Sequence, residues 1–288
     1  MIKTCLYFLI AVALSLAIGS HAQAISLDFG KLKETATKLK RARGKVSVEE
    51  EVKIGDSVAA QLLGAGPLVA NPELQRYVNQ VGMWVAQHSE RKNLPWTFGV
   101  IDSGNINAFA TPGGRVLITK GLFLLLENEA ELAGILGHEI AHVVAKHHLD
   151  ALKKNSRLDL LGDVLQTAAN EKKQRNQQKL NVLINAGTQL YARGLDRHDE
   201  YEADRLGVVY AARAGYDAFA LQSVLATLDS IHADSEKIAL LTKTHPSFSD
   251  RLNNLDLAMG VRLDKYGRQS QLAGRLFVVQ KLLVQQSQ

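Results

Sequence analysis

The longest helical pattern in the chain covers residues 127–153, and no glycine or proline interrupts it after Gly137. Its central part, Ala130 to Val144, is strongly apolar, which predicts a helix buried inside the protein. The run His138-Glu139-Ile140-Ala141-His142 places three polar side chains in that stretch. Buried polar side chains are costly unless they have partners, so this run most constrains what the chain can fold into.

The spacing of this run predicts a metal site. A helix advances about 100° per residue, so His138 and His142 lie within about 40° of each other, one turn apart, and both imidazoles can reach one ion. Glu139 is turned about a quarter of a revolution away, where its carboxylate can contact a metal-bound water. Zinc lowers the pKa of such a water, and the carboxylate takes the proton as the water attacks a peptide carbonyl. The alternative is a pair of core histidines satisfied by local hydrogen bonds.

A catalytic zinc site needs a third protein ligand and one open position, and two candidates follow the motif. The first is His148, which has the spacing of the metzincin signature. That signature has glycine where this chain has Ala145, because the helix must break there to bring the last histidine round. With Ala145, Lys146 and His147 continuing a helix, we expect His148 to point away from the metal.

The second candidate lies in the downstream run Glu200-Tyr201-Glu202-Ala203-Asp204. Glu200 and Asp204 share a helix face by the same one-turn rule. Glu200 can bind the metal, while Asp204 accepts a hydrogen bond from a ligand histidine and fixes its orientation. By itself this segment would be interpreted as a charged helix surface, but the upstream motif favours the metal site.

Four segments together resemble the HtpX, Ste24 and BepA type of zinc metallopeptidase, over about residues 50–259. They are Asn107-Ala108-Phe109-Ala110, Gly134 to His142, Glu200 to Asp204 with Arg205 and Gly207, and Thr244-His245-Pro246-Ser247 with Arg251.

The resemblance implies one zinc ion per chain, bound by His138, His142 and Glu200, with Glu139 as base. It also implies that Asn107, Ala108, Phe109 and the strand after Gly114 border the substrate cleft and pair with an extended peptide. By the same resemblance His245 is a switchable fourth ligand that can hold the enzyme inactive. The alternative is that His245 only orders its loop beside Pro246.

The N-terminus predicts export. Lys3 precedes an apolar stretch from Leu6 to Ile18 and the small-residue sequence Ala22-Gln23-Ala24, as in a signal peptide cut after Ala24. A retained membrane anchor is the alternative, although the stretch is shorter than the roughly 18 to 20 apolar residues of a spanning helix. Cys5 is the only cysteine, so a mature chain would hold zinc through histidine and carboxylate alone. We expect export across the inner membrane to the periplasm.

The net charge of the chain is +5, and its basic residues are dispersed apart from a cluster at residues 31–45. We interpret that cluster as a solvated flexible leader, with peripheral contact to anionic lipid as the alternative; no nucleic-acid partner is expected. The polar stretch Glu171 to Lys179 predicts either a mobile loop or a solvated helix face.

The expected fold is α+β: a helix-rich zincin-like domain with a small β-sheet packed on the motif helix. Helices are expected from Ser47, a capping-box residue, through Leu63, and from Asn71 through about His88. Short β-rich runs at 96–102 and 115–119 flank a turn at 111–114, which predicts a hairpin or edge strand. The expected divisions are 1–24 signal peptide, 25–45 leader, 46–260 peptidase domain and 261–288 helical tail.

The sequence therefore predicts a zinc endopeptidase of the cell envelope that cleaves unfolded or misassembled proteins. One alternative is a latent zinc-binding chaperone in which His245 stays on the metal. Another is a membrane-surface adaptor that uses the basic leader. Within this family, we expect a member that lacks the transmembrane helices of HtpX-like proteins and the helical repeats of BepA-like proteins. The oligomeric state is left open.

Overall fold

The computed structural model describes residues 46–152, 154, 194–231, 235–245, 247–267 and 269–285. The predicted signal peptide (1–24), the basic leader (25–45), the polar stretch at 171–179 and Pro246 lie outside the described residues. The helices and strands are, in chain order, α1 (Val48–Ala65), α2 (Pro72–Ala86), β1 (Thr97–Ile101), β2 (Ala108–Thr111), β3 (Arg115–Thr119), α3 (Lys120–Leu125), α4 (Glu129–Ala145), α5 (Arg197–Arg213), α6 (Ala220–Ser230), α7 (Ala239–Thr244), α8 (Phe248–Met259) and α9 (Ala273–Gln285).

The first two helices begin as the sequence predicts. At α1, the Ser47 hydroxyl accepts a hydrogen bond from the Glu50 backbone N–H at 3.2 Å, and the Glu50 carboxylate accepts one from the Ser47 N–H at 3.0 Å. At α2, the Asn71 side chain accepts from the Leu74 N–H, and Pro72 occupies the first turn. Local capping chemistry therefore sets both starts.

The expected small sheet is present with a hairpin across the predicted turn, but the turn does not join the run at 96–102 to β3. The turn after Thr111 joins β2 to β3, and these two strands are antiparallel; β1 lies parallel to β3 on its other side, so the strand order is β1-β3-β2. Positive φ angles at Gly113 (79°) and Gly114 (98°) allow the tight reversal. The prediction missed β2, because Ala108 and Ala110 give it a low strand propensity.

Helix α4 lies at the centre of the fold, and every residue from Glu129 to Val143 is buried. It packs against α2, α5 and α6, and the sheet contacts it through β2. Leu276 and Leu283 of α9 belong to the same hydrophobic core. The predicted helix-rich α+β class, with a small sheet against the motif helix, is confirmed.

The expectation of one unbroken helix to about Lys153 is wrong. Helix α4 ends at Ala145, Lys146 adopts a left-handed conformation (φ 65°, ψ 25°), and a second helical segment covers residues 147–152. The Lys146 N–H caps the end by donating to the carbonyls of His142 and Val143. A left-handed lysine costs free energy that tertiary contacts must offset, so local propensity gave no sign of this break.

Within the described ranges, no helix combines the length and the apolar character that crossing a membrane requires.

Candidate metal centre

The two motif histidines project from α4 toward one point. The Nε2 atoms of His138 and His142 are 3.0 Å apart, and both rings are buried. Burial lowers the pKa of both imidazoles, and for His142 the neighbouring histidines add to that effect. Neutral imidazole is the form that binds metals, so burial keeps both side chains in the ligand state.

Helix α5 brings the downstream carboxylates to the same point. The two helices touch backbone to backbone, since a Cβ on Gly137 would come 2.7 Å from the Gly207 carbonyl oxygen and one on Gly207 would come 2.6 Å from the His138 nitrogen. This close approach places Glu200 Oε2 3.6 Å from His138 Nε2 and Glu200 Oε1 3.4 Å from His142 Nε2. Both glycines are therefore needed for Glu200 to reach the histidines.

Four of the predicted ligands converge. His138, His142, Glu200 and His245 each offer one donor atom, these atoms all lie within 4.8 Å of one another, and all four side chains are buried. Zinc bound by nitrogen or oxygen at 2.0–2.1 Å in a tetrahedron holds neighbouring donor atoms about 3.3 Å apart. The distances of 3.0, 3.4 and 3.6 Å among the first three residues match that geometry.

The unsatisfied groups in this cluster also fit a cation. Neither Glu200 carboxylate oxygen accepts a hydrogen bond from the described residues, and neither does Glu139 Oε2. Burial raises the pKa of Glu200 and of Glu139 to about 8, although the charge of Arg251 opposes the shift. Buried carboxylates with so little compensation are expected where a cation binds, so these residues suit a metal ion.

Asp204 lies behind His138, one helical turn after Glu200. Its Oδ1 atom is 2.9 Å from His138 Nδ1, which gives His138 a carboxylate acceptor for its Nδ1 proton and directs the Nε2 lone pair at the cluster. Burial alone would raise the pKa of Asp204, but the charge and hydrogen bonds of Arg251 lower it far below its usual range. Asp204 is therefore ionised.

Arg251 is the residue whose role the sequence analysis missed. From α8 it donates to both oxygens of Asp204, through Nε at 2.9 Å and Nη2 at 2.6 Å, and its Nη1 lies 3.4 Å from Glu200 Oε2. Its side chain is buried. The only sequence signal was its place near the Thr-His-Pro-Ser run, because the contact with Asp204 spans 47 residues.

His245 ends α7 and faces the other ligands. Its ring centroid is 5.6 Å from that of His138 and 5.9 Å from that of His142, and its Nε2 is 3.8 Å from Glu139 Oε1. Its Nδ1 is 3.0 Å from the Thr244 hydroxyl, which also contacts the Leu240 carbonyl. This contact holds Nδ1 away from the cluster and leaves Nε2 facing it.

A narrow cleft leads to this cluster. Its walls come from β2, α4, the helical segment after α4, the residues before α5 and the end of α7. The residues are Ala108, Phe109, Ala110, Glu139, His148, Gly194, Leu195, Thr244 and His245. Asn107 precedes β2 and is buried; its N–H donates to Thr119 Oγ1 and its Oδ1 accepts from the Ala108 N–H. Ala108 and Phe109 therefore border the cleft, and the predicted pairing of residues 107–109 with substrate stays a prediction.

His148 corrects the sequence reasoning in part. Because α4 ends at Ala145, His148 does not continue along the helix, and its ring centroid lies 5.3 Å from that of His142. The expectation that it points away from the site is wrong. It is nevertheless not among the four converging donors.

Comparison with known proteins agrees with this geometry. Residues 72–258 match the model of peptidase family M48. The beta-barrel assembly-enhancing protease of Escherichia coli (strain K12) is 31% identical over 244 residues, covering 83% of this chain and 49% of that protein. The mitochondrial metalloendopeptidase OMA1 of Bos taurus is 34% identical over 169 residues, covering 57% and 32%.

The relative from Yersinia pestis, also named beta-barrel assembly-enhancing protease, is 31% identical over 215 residues, and the match covers 44% of that protein. The chain thus spans about half the length, or less, of the curated relatives it matches. The family match covers more than half of the chain and includes the ligand-bearing helices α4 and α5. The family predicted from the sequence is confirmed: this chain belongs to the M48 family of metallopeptidases.

Proposed function

We propose that this chain is a zinc-dependent endopeptidase that hydrolyses peptide bonds of unfolded or misassembled proteins. One observation carries the proposal: Glu139 lines the cleft together with His245, one of the four converging donors, and its Oε1 lies 3.8 Å from His245 Nε2. A buried base beside a metal-binding cluster, with access from a cleft, is the arrangement that peptide hydrolysis requires.

His138, His142 and Glu200 would hold the zinc ion, with His245 as a fourth ligand that leaves when substrate enters. When bound, zinc supplies a Lewis acid that polarises the scissile carbonyl and lowers the pKa of a water. The two histidines and one glutamate would form a gluzincin-like ligand set for the single zinc ion that is expected per chain.

Glu139 carries the proton. It takes a proton at its carboxylate from the attacking water and then gives it to the nitrogen of the leaving amine. Burial raises its pKa to about 8, and the charge of Arg251 opposes that shift. A nearby cation favours the ionised form, so with zinc in place Glu139 is a base. Asp204 positions His138, and Arg251 holds Asp204 and lies 3.4 Å from Glu200 Oε2 through its Nη1 atom.

The substrate class is supported by the relatives and by the cleft. The name beta-barrel assembly-enhancing protease associates those relatives with beta-barrel assembly. The cleft is narrow and bordered by β2, which suits an extended, unfolded segment more than a folded domain. With the predicted signal peptide, we place the enzyme in the periplasm of the cell envelope.

A substitution of Glu139 tests the proposal. Glu139→Gln should keep zinc, measured by metal analysis of the purified protein, while degradation of casein falls at least about a hundredfold. Glu73→Gln, which changes an exposed carboxylate on α2, is the matched control and should retain both. A Glu139→Gln variant that still degrades casein at the wild-type rate would rule out the enzyme function.

The position of His245 favours one second candidate, a latent zinc-binding chaperone. In that function His245 stays on the metal and the cleft only binds peptide. A cellular phenotype that survives Glu139→Gln, together with suppression of aggregation by that variant, would favour the chaperone over the peptidase.

A further inference from the structure

The end of helix α4 brings an additional histidine to the centre. Because Lys146 is left-handed, the chain leaves the course of α4 there, and His147 Nδ1 comes to 3.0 Å from His142 Nδ1. The two rings meet edge to face, with centroids 5.1 Å apart and an interplanar angle of 74°. In an uninterrupted helix, positions 142 and 147 would lie about 140° apart around the axis and could not make this contact.

Helix α5 contacts the other side of the His147 ring. His147 is buried, with 7% of its surface exposed, and its Nε2 lies 3.5 Å from Glu202 Oε2 and 3.8 Å from Asp199 Oδ1. Both carboxylates are partly exposed, at 41% and 28%. His147 therefore lies between a buried ligand and two carboxylates near the surface.

The contacts allow one consistent arrangement of protons. His142 must keep its Nε2 lone pair for the cluster, so its proton is on Nδ1 and is donated to His147 Nδ1. His147 then accepts at Nδ1 and carries its own proton on Nε2, which faces two carboxylates that can only accept. A donor and an acceptor thus meet between His142 Nδ1 and His147 Nδ1, while the two carboxylates, at 3.5 and 3.8 Å, attract the Nε2 proton electrostatically.

We propose that His147 is the positioning residue for the ligand His142, fixing its ring and tautomer as Asp204 does for His138. This inference rests on the proposed zinc site. It implies that α5 supports both histidine ligands from behind. Asp204 supports His138 directly, whereas Asp199 and Glu202 support His142 by way of His147. The same helix also carries Glu200. The break at Lys146 makes this second support possible.

The test compares two replacements of His147 in the full chain. His147→Asn keeps an oxygen acceptor near the Nδ1 position, whereas His147→Phe keeps the ring shape and removes the acceptor. We expect the dissociation constant for zinc, measured by competition with a chromogenic chelator, to rise about 10- to 100-fold in His147→Phe. The rise in His147→Asn should stay within about threefold. His88→Phe, a histidine at the end of α2, is the matched control.

Two further measurements separate positioning from a general loss of structure. The visible absorption spectrum of the cobalt-substituted protein should change in His147→Phe and stay close to wild type in His147→Asn, because it reports the ligand field. Thermal unfolding with chelator present should be similar in the two variants.

A second route leaves the ring in place: Asp199→Asn with Glu202→Gln should weaken zinc binding in the same direction by a smaller factor.

The outcomes distinguish this inference from the proposed function. Failure of the wild type to bind zinc would overturn the proposed function. If the wild type binds zinc and His147→Phe binds it equally well, the positioning role is overturned. Equal weakening in His147→Asn and His147→Phe, in parallel with equal losses of thermal stability, would also overturn it.

Discussion

Two regions supply the donors of the centre, and they are held in very different ways. The two-helix frame, α4 with α5, carries His138, His142 and Glu200 and is joined by direct backbone contact and by the buried contact of His138 with Asp204. The His245 segment, residues 239–245, consists of the six-residue helix α7 and His245, whose Nδ1 lies 3.0 Å from the Thr244 hydroxyl. Three donors are therefore built into the core and the fourth is attached to a short peripheral element.

This difference separates two properties of the site. The frame determines whether the metal is held, because moving either helix changes the distances between the two histidines and Glu200. The His245 segment determines whether a coordination position is available to substrate, because it contributes a donor without supporting the others. Perturbing each region should therefore change different measurements, and the following predictions run from the largest expected change in stability to the smallest.

Arg251→Met should have the largest effect. It leaves the carboxylates of Asp204 and Glu200 buried without their guanidinium, and breaking a buried charge pair in this way costs about 3–5 kcal/mol. Chemical denaturation measures the loss. Arg197→Met removes an exposed pair with Asp250 and should cost about 1 kcal/mol or less. A loss for Arg251→Met as small as that of the control would contradict the claim that Arg251 stabilises the two-helix frame.

Gly207→Ala should come next. Its Cβ would meet the His138 nitrogen at 2.6 Å and force α5 away from α4, at a cost of about 1–3 kcal/mol. Zinc affinity should fall with it, because Glu200 moves with the helix. Gly64→Ala on α1, where a Cβ meets nothing within 4 Å, should instead stabilise the fold by about 0.5–1 kcal/mol. Unchanged zinc affinity in Gly207→Ala would show that backbone contact does not set the donor geometry.

Acid should weaken the anchor at the C-terminal end of α4. Burial raises the pKa of Glu51, but the hydrogen bonds and charge of Arg91 and the charge of Lys146 outweigh it and lower the pKa overall. Arg91 also donates to the Val143 carbonyl at 2.9 Å, which joins Glu51 to α4. A lowered native pKa means that the unfolded chain binds more protons, so the stabilisation is complete above about pH 4.5 and is lost as the pH falls through the native value.

Denaturation of wild type and Glu51→Gln over a range of pH measures this term. The difference in free energy of unfolding should be constant near neutral pH and shrink below about pH 4.5, by roughly 1.4 kcal/mol for each unit of pKa lowering. Glu73→Gln, which changes an exposed carboxylate on α2, is the control measured beside it. A difference that stays constant down to pH 3 would contradict the role of the Glu51 charge.

His245→Ala should have the smallest effect on stability, and its effect on activity tests the role of His245. It removes a donor from a peripheral segment, so the free energy of unfolding should change by about 1 kcal/mol or less. If His245 covers the metal at rest, casein degradation should rise severalfold while zinc stays bound by the frame. Equal or lower degradation, measured beside Glu139→Gln, would leave His245 with only a structural role.

Sequence reasoning found what local spacing encodes. His138, His142, Glu200 and Asp204 were each identified from a one-turn separation on a helix, and the caps of α1 and α2 follow from the residues beside them. These features depend on neighbours within four residues along the chain. The metalloprotease family followed from the resemblance of four segments, and the α+β class followed from the pattern of helical and β-rich runs.

What sequence reasoning missed depends on distant contacts. Arg251 meets Asp204 across 47 residues, and no periodicity in either helix indicates that contact. Lys146 takes a left-handed conformation usually reserved for glycine, so the break that redirects His147 and His148 had no local signal. His245 was identified only through resemblance, since nothing in its own segment distinguishes a ligand from a buried loop histidine.

The backbone contact between α4 and α5 has a consequence for how the centre tolerates change around it. At Gly137 and Gly207 no side chain separates the helices, so peptide groups, not rotamers, define the distance between the histidine pair and Glu200. Side-chain fluctuations elsewhere in the core can occur without altering that distance. The spacing of the donor residues is therefore set by the main chain and is largely independent of the packing that surrounds it.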